Sequence, residues 1–203
     1  MNKPNLIIFD MEWTAWEGSK DRNWSGPGEK REIVQIGAVK LAFDDDLTEI
    51  GAFDCYVKPQ FNPILSDYFM NLTGISQAKV DSQGIPFEAA LKRFHNFIGG
   101  DTRAICSHGG DEYQLSENCK IYGVSSPIEP AIFCDISQPI ADYLGVERLH
   151  FCSGDLPEPF GLERPGDAHN ALVDCRCISG ALRVLHTNGI DFISPPSRSA
   201  AKS

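Results

Sequence analysis

Asp10 and Glu12 end an apolar segment, Leu6 to Phe9, and are separated only by Met11. Because the side chains of a strand alternate between its two faces, both acids lie on the face that carries Ile8. Two anions on one buried face repel each other and lose their hydration, so such a pair persists mainly where a cation neutralises it. The spacing therefore predicts a metal site at the end of this strand.

A third acid, Asp174, lies at the margin of the apolar stripe of the last predicted helix, beside the sheet rather than in water. If that helix lays Asp174 against Asp10 and Glu12, the three residues form the all-oxygen ligand set that Mg²⁺ or Mn²⁺ prefers. His169, in the loop that enters the helix, would then stand about one turn above the metal. These residue types favour metal-assisted hydrolysis.

Asp111 is the fourth acid of interest, because it follows a predicted strand and two glycines, Gly109 and Gly110, at the start of a predicted helix. One interpretation is an N-cap, a position that Asp serves well. A place in the metal site is the other interpretation, and the motif order described below favours it.

The rest of the chain predicts the elements that position these residues. A long Gly-rich and charged loop covers 13–31, and apolar segments at 33–41 and 52–57 complete a three-stranded meander with the first strand. Helices are predicted at 86–98, 111–122, 138–144 and 169–186, strands at 103–107 and 132–136, and a Pro/Gly-rich loop at 151–166. A hairpin meander followed by alternating helices and strands predicts an α/β domain, a mixed sheet flanked by helices.

The composition of the 203 residues, 42% apolar and 23% charged, fits one globular domain, which we expect at 1–193, with a disordered tail at 194–203. No apolar run approaches the roughly 18 residues needed to span a bilayer. Seven cysteines without a Cys-x-x-Cys pair favour reduced thiols and a cytoplasmic location. The net charge of −10 argues against broad coating of nucleic acid, although it does not exclude a nuclease that holds a few nucleotides through bound metal.

Three motifs occur in order along the chain: Phe9-Asp10-Met11-Glu12, Asp111 after a strand, and His169-Asn170-Ala171-Leu172-Val173-Asp174. Together they resemble the three exonuclease motifs of the DnaQ-like DEDDh 3′-to-5′ exonuclease superfamily, over roughly residues 5–187. Each motif alone is common, whereas their ordered combination on suitable elements is specific. The resemblance implies a ribonuclease H-like fold.

Three further segments, 56–59, 62–67 and 72–75, look most like the subgroup of RNA-interference-limiting and histone-mRNA 3′ exoribonucleases, which includes bacterial sporulation-inhibitor relatives. This likeness implies that Leu72 and Ile75 contact the terminal nucleotide, and packing in the core is the alternative for both. Met11 and Trp13 are further expected substrate contacts. The chain departs from the family pattern in the long loop after Trp13 and in the two glycines before Asp111, which affects the expected substrate contacts more than the chemistry.

The resemblance also implies a two-metal mechanism with Mg²⁺ or Mn²⁺, two per site. Asp10, Glu12 and Asp174 would hold one cation and Asp10 the second, with Asp111 orienting water or supporting the second cation. His169, with a reference pKa of about 6.5, would accept a proton near neutral pH. The expected reaction releases nucleoside 5′-monophosphates from the 3′ end of single-stranded RNA or DNA, with RNA favoured.

Other interpretations remain open from the sequence. A catalytically silent nucleic-acid-binding or regulatory protein could have the same fold. A thiol or serine hydrolase built on Cys106, Ser107 and His108 is less favoured, because adjacent side chains on a strand point to opposite faces. The loop 13–31 also carries Lys20, Arg22, Lys30 and Arg31. Its tryptophans either stack on nucleic-acid bases beside phosphate-binding cations or cover the edge of the sheet.

Overall fold

A computed structural model describes residues 4–147, 151–167 and 169–193, so the predicted tail at 194–203 lies outside the described residues. The strands of this part are β1 (Asn5–Trp13), β2 (Ile33–Ala42), β3 (Glu49–Tyr56), β4 (Thr102–Ser107) and β5 (Phe133–Asp135). The helices are α1 (Asp67–Thr73), α2 (Gln77–Gln83), α3 (Phe87–Ile98), α4 (Asp111–Tyr122), α5 (Ser137–Leu144) and α6 (Ala171–Thr187).

The strands form one mixed sheet in the order β3-β2-β1-β4-β5. β1, β2 and β3 pair antiparallel, which confirms the predicted meander, and β4 and β5 run parallel to β1. In this register Asp10 lies opposite Gly37 of β2, and Glu12 lies opposite Gln35. The predicted fold class, a mixed sheet flanked by helices, is therefore confirmed.

The two faces of β1 are buried under different helices. Ile7 and Phe9 pack in a cluster with the apolar faces of α3 and α4, whereas Leu6 and Ile8 pack in a second cluster with α5 and α6. Since side chains alternate along the strand, Asp10 follows Ile8 onto the α6 face. The fold thus turns the first acid of the sequence motif toward the helix that carries Asp174.

Some element boundaries differ from the predictions. The helices α1 and α2 were not predicted, because each has only seven residues, too few to show a clear helical periodicity of apolar residues. Their N-caps are Ser66 and Ser76. β3 begins at Glu49 rather than residue 52, because it is an edge strand whose first residues are exposed and lack an apolar pattern. α6 begins at Ala171, because Asn170 is its N-cap and accepts a hydrogen bond from the Val173 amide.

A buried carboxylate fixes the start of β2. The Glu32 side chain is fully buried and accepts hydrogen bonds from the backbone amides of Gln60, Phe61 and Asn62 and from the Tyr122 hydroxyl, at 2.6 to 3.0 Å. Hydrogen bonds to a charged acceptor are stronger than neutral ones, and a buried donor left unpaired is costly. Glu32 therefore joins α4 and the segment after β3 to the sheet.

We predict that Glu32→Ala lowers the free energy of unfolding by about 3–5 kcal/mol, because it leaves three backbone amides and a hydroxyl without their buried, charged acceptor. Urea unfolding followed by circular dichroism measures this loss. Glu49→Ala is the matched control, since Glu49 makes a surface ion pair with Arg176 and its loss should cost less than about 1 kcal/mol. Equal losses in the two variants would contradict the anchoring role of Glu32.

Candidate active site

The carboxyl end of β1 supplies the first two acids of the site. Asp10 is buried, and its Oδ1 accepts a hydrogen bond of 2.9 Å from the Ser153 hydroxyl. Ser153 lies in a short 3-10 turn of the Pro/Gly-rich loop that packs against α6. Sequence reasoning did not find Ser153, because a serine 143 positions from Asp10 carries no local pattern that links the two.

The amino end of α4 supplies the third acid. Gly110 is the N-cap residue and makes no side-chain cap, while Asp111 is the first helical residue, so the N-cap interpretation of Asp111 is wrong. The Asp111 Oδ1 instead accepts a hydrogen bond of 3.1 Å from the Met11 backbone amide. Asp111 is thus held against the segment of β1 that separates Asp10 from Glu12.

Contacts with β2 position the amino end of α6. The Gln35 Oε1 accepts a hydrogen bond of 3.1 Å from the Ala171 amide. Gly37 lies so close to this helix end that an added Cβ would come within 3.0 Å of backbone atoms of Ala171 and Leu172. The close approach brings Asp174, on the first turn of α6, to the carboxyl end of β1.

Asp174 is 4% exposed, and its Oδ1 is buried with no hydrogen-bond partner among the described residues. A ligand oxygen of Asp174 lies within 4.8 Å of ligand atoms of Glu12 and His169. An orphaned buried carboxylate oxygen is costly unless a cation or a donor completes it. The donor set, carboxylates with one imidazole, fits a hard divalent cation.

His169 stands at the entrance to α6 in the left-handed region, with a φ of 57°. Non-glycine residues adopt this conformation infrequently, and at functional sites the surrounding structure holds it. Because Asn170 caps the helix, the alternative in which His169 serves only as a cap is not supported. Burial is the main cause that lowers the pKa of the His169 imidazole, so the ring is neutral at neutral pH.

Burial and mutual repulsion disfavour the charged forms of the four acids. Burial first, and then the nearby carboxylates, raise the pKa of Glu12 to about 8 and that of Asp10 well above its usual range. Burial is also the main cause that raises the pKa of Asp111 and of Asp174 to about 7. A bound cation would reverse this penalty, which is the behaviour expected of metal ligands.

We predict that the metal-free protein loses stability as the pH rises from about 5 to 8. A carboxyl whose pKa is raised by folding contributes stability below its unfolded pKa, and this contribution is lost as the pH rises through the folded pKa, here about 7 to 8. We expect the Tm to fall by about 5 °C or more over this range, and added Mg²⁺ or Mn²⁺ to restore it at pH 8.

Thermal unfolding with chelator and with metal at both pH values measures this effect. Glu12→Gln provides the control, because it removes one titrating group and should flatten the pH dependence without metal. A Tm that rises between pH 5 and 8 in chelator, for wild type, would contradict the raised pKa values.

The acids lie in an open cleft of about 620 Å³. Met11, Trp13 and His169 line it as well, so the structure brings seven of the nine predicted site residues together. The cleft also holds Lys20, one of the cations of the loop 13–31, and Asp135, which sequence reasoning did not single out. Asp135 could have been found, because it ends an apolar strand as Asp10 does.

Leu72 and Ile75 are placed elsewhere. Leu72 is 38% exposed on α1, and Ile75 is 2% exposed in a hydrophobic cluster with Val34 and Phe69. Neither is among the residues that line the cleft. Their role in binding substrate stays a prediction.

The two open questions about the loop and about the thiol hydrolase receive structural answers. Trp24 donates its indole N–H to the Thr14 carbonyl, stacks with Arg31 and packs against a hydrophobic cluster that includes Val34, so its contacts are structural. Cys106 is fully buried in the hydrophobic cluster on the α6 side, where a hydrogen bond with Cys134 and burial raise the pKa of its thiol well above the usual range. A buried, protonated thiol does not support a nucleophilic role.

No helix in the described part of the chain is long and apolar enough to cross a membrane. The nuclease domain of 3′hExo, described as a DEDDh family member bound to rAMP, matches with a TM-score of 0.81 and 23% identity over 94% of this chain and 95% of that one. This likeness confirms the ribonuclease H-like fold.

Curated relatives agree with the motifs. ERI1 exoribonuclease 2 of Homo sapiens is 38% identical over 93 residues, which are 46% of this chain and 12% of that protein. The 3′-5′ exonuclease eri1 of Schizosaccharomyces pombe is 27% identical over 216 residues, covering 92% of this chain and 69% of that protein. The chain therefore spans about an eighth of the first relative and about two thirds of the second.

The family pattern described as "Exonuclease" (RNase_T) matches residues 7–124, which include β1 with Asp10 and Glu12 and the whole of α4 with Asp111. DEDDh exonucleases depend on divalent metal, in agreement with the acidic donor set of the cleft. His169 and Asp174, which lie beyond the matched residues, complete the DEDDh residue set in the same cleft. On this evidence the chain belongs to the RNase_T exonuclease family, and its fold and residue set are those of the DEDDh 3′-to-5′ exonucleases.

Proposed function

We propose that this chain is a metal-dependent 3′-to-5′ exonuclease that releases nucleoside 5′-monophosphates from the 3′ end of single-stranded nucleic acid, with RNA favoured over DNA. The observation that carries the proposal is the convergence of four acids and a histidine from β1, α4 and α6 in one cleft. The buried Asp174 oxygen without a partner adds to it, because such an atom needs a cation or a donor.

Asp10, Glu12, Asp111 and Asp174 would hold two Mg²⁺ or Mn²⁺ ions. When bound, divalent cations supply Lewis-acid chemistry, which lowers the cost of charge on the attacking and departing oxygens of a phosphodiester. The Ser153 hydroxyl holds the Asp10 carboxylate in one orientation, and the Met11 amide does the same for Asp111. Preorganised carboxylates of this kind bind without a further cost of ordering.

His169 is the general base of the proposed reaction. A ring nitrogen of His169 lies within 4.8 Å of carboxylate oxygens of Glu12 and Asp174. Because the ring is neutral near pH 7, it can accept a proton from the attacking water. The proton then leaves through the open side of the cleft. The bond between phosphorus and the 3′ oxygen of the preceding nucleotide breaks, and this oxygen takes up a proton from water. The shortened strand then ends in a new 3′ hydroxyl, which prepares it for the next cycle.

Two observations favour RNA as substrate. ERI1 exoribonuclease 2 is named for RNA, and the matching nuclease domain is described as bound to rAMP. Met11 and Trp13 give the cleft an apolar wall on which a terminal base can pack. The seven free cysteines fit a reducing compartment, and we propose the cytoplasm.

Gel analysis of a 5′-labelled single-stranded RNA and its DNA counterpart, with Mg²⁺ or Mn²⁺, tests the proposal. Wild type should shorten the strand from its 3′ end, RNA faster than DNA, and chelator or Asp10→Ala should stop this. Asp81→Ala, on the exposed face of α2, is the matched control and should leave activity unchanged. Intact strands that wild type nevertheless binds would favour the catalytically silent binding protein instead.

A further inference from the structure

The cleft carries a strong excess of negative charge. Six acids line it: Asp10, Glu12, Asp111, Asp135, Glu147 and Asp174. Among the described residues that line the cleft, Lys20 is the only lysine or arginine. A nucleic-acid strand adds a negative charge with every phosphate, so a cation at this place has a large influence on binding.

Lys20 belongs to the long loop between β1 and β2, and hydrogen bonds hold the loop backbone around it. Ser19 is 1% exposed, and its hydroxyl accepts a hydrogen bond of 2.8 Å from the Trp16 amide. The carbonyls of Ser19 and Lys20 accept hydrogen bonds from the amides of Trp24 and Asn23. The backbone at Lys20 is therefore held in a defined turn.

The outer part of the loop is held as well. Arg22 pairs with Glu29 and donates a hydrogen bond of 2.7 Å to the Glu17 carbonyl, which closes the loop on itself. Arg31 stacks on Trp24 with its guanidinium carbon 3.7 Å from the ring centroid. These contacts hold the loop in one conformation, and they engage the side chains of Arg22 and Arg31.

The Lys20 side chain is exposed, and no ion pair engages its ammonium in the part of the chain that the structure describes. The nearby Arg164, in contrast, is paired with Asp155 at 2.7 Å. Lys20 and His169 line the same cleft. Lys20 thus offers its ammonium to the cleft in which the general base stands.

We propose that the Lys20 ammonium binds a backbone phosphate of the nucleic-acid strand in this cleft, so that this loop positions the substrate. The inference rests on the proposed function and adds a residue that the motifs do not contain. An ammonium on a flexible stem is a compact point charge with three donors, and it suits a phosphate oxygen whose position changes as the strand advances. The long loop of this chain thereby acquires a role in substrate binding.

Steady-state kinetics on a single-stranded RNA decamer tests the inference. Lys20→Ala should lower kcat/KM about 10- to 100-fold, mainly through a higher KM, because one charge-assisted contact with phosphate is lost. Lys20→Arg should stay within about threefold of wild type, since it keeps the charge. Lys92→Ala, at an exposed position of α3, is the matched control and should have no effect.

Binding supplies a second readout that does not depend on turnover. With the labelled decamer in chelator, Lys20→Ala should reduce the slope of log Kd against log salt by about 0.7, the value for one phosphate contact of a single strand. The Tm should be unchanged, because the Lys20 side chain supports no described hydrogen bond or ion pair.

The outcomes separate this inference from the proposed function. If wild type degrades RNA and Lys20→Ala matches it in kcat/KM and in salt slope, the Lys20 inference is wrong and the exonuclease stands. If wild type is inactive, the proposed function fails, and the binding slope still decides whether Lys20 contacts phosphate. A lower Tm in Lys20→Ala that Lys20→Arg does not restore would overturn the inference in favour of a structural role.

Discussion

Asp10→Asn is expected to lower kcat at least about 1,000-fold while raising the Tm of the metal-free protein. Asparagine has the shape of aspartate and can still accept the hydrogen bond from Ser153, so the fold should be preserved. It lacks the negative charge that Asp10 would contribute to cation binding, and the transition-state stabilisation that depends on metal is lost with it.

The rise in stability has the same physical origin. Burial, and then the charges of Asp111, Asp174 and Glu12, disfavour the ionised form of Asp10 in the metal-free protein. A neutral amide removes this repulsion, and the expected gain at pH 8 is about 1–3 kcal/mol, or about 3–8 °C in Tm. Active sites are commonly less stable than the rest of a protein for this reason, because carboxylates grouped to bind a metal repel one another when the metal is absent.

Single-turnover degradation and thermal unfolding in chelator measure the two effects on one preparation. Asp81→Asn is the matched control, since Asp81 is exposed on α2 and should change neither quantity. An Asp10→Asn protein that retains more than about a tenth of wild-type activity would remove Asp10 from the metal site. A lower Tm without loss of activity would assign Asp10 a purely structural role.

Gly37→Ala is expected to reduce kcat/KM by about 100-fold or more and to destabilise the protein by about 2–4 kcal/mol. The added Cβ would lie within 3.0 Å of backbone atoms of Ala171 and Leu172, and a helix backbone cannot move aside as a flexible side chain can. The amino end of α6 would have to shift away from β2. Since Asp174 and His169 depend on this helix end, a displacement of about 1 Å is sufficient to spoil the site.

Gly51→Ala tests whether the effect comes from the close approach or from the loss of a strand glycine. A Cβ at Gly51, on the neighbouring strand β3, would meet its nearest atom, in the Phe97 ring, at 3.5 Å, which is an ordinary contact. The free energy of unfolding of this variant should therefore lie within about 1 kcal/mol of the wild-type value, and its activity should be unchanged. Similar losses in both variants would contradict the positioning role of Gly37.

Much of the site could be predicted from local pattern. The alternation of side chains along β1 places Asp10 and Ile8 on one face, and the structure confirms that this face meets α6. The apolar stripe of α6 likewise placed Asp174 at its margin, where it is 4% exposed. Both predictions succeed because burial imposes the strand and helix periods directly on the sequence.

Other parts of the site depend on contacts that leave no local signal. An N-cap and a first helical residue differ by one position, so the sequence could not show that the Asp111 carboxylate accepts from the Met11 amide, 100 residues away. The hydrogen bond from Ser153 to Asp10 joins residues 143 apart. The tight packing of Gly37 on α6 is visible only once β2 and α6 are in place.

The most direct test of the exonuclease proposal is the identity of the first products released from a single-stranded RNA with a free 3′ hydroxyl. Liquid chromatography of early time points, with wild type and Mg²⁺ or Mn²⁺, resolves mononucleotides from fragments. We predict nucleoside 5′-monophosphates from the 3′-terminal position first, then from each preceding position in order. Internal fragments, nucleoside 3′-monophosphates, or release that starts at the 5′ end would contradict a 3′-to-5′ exonuclease.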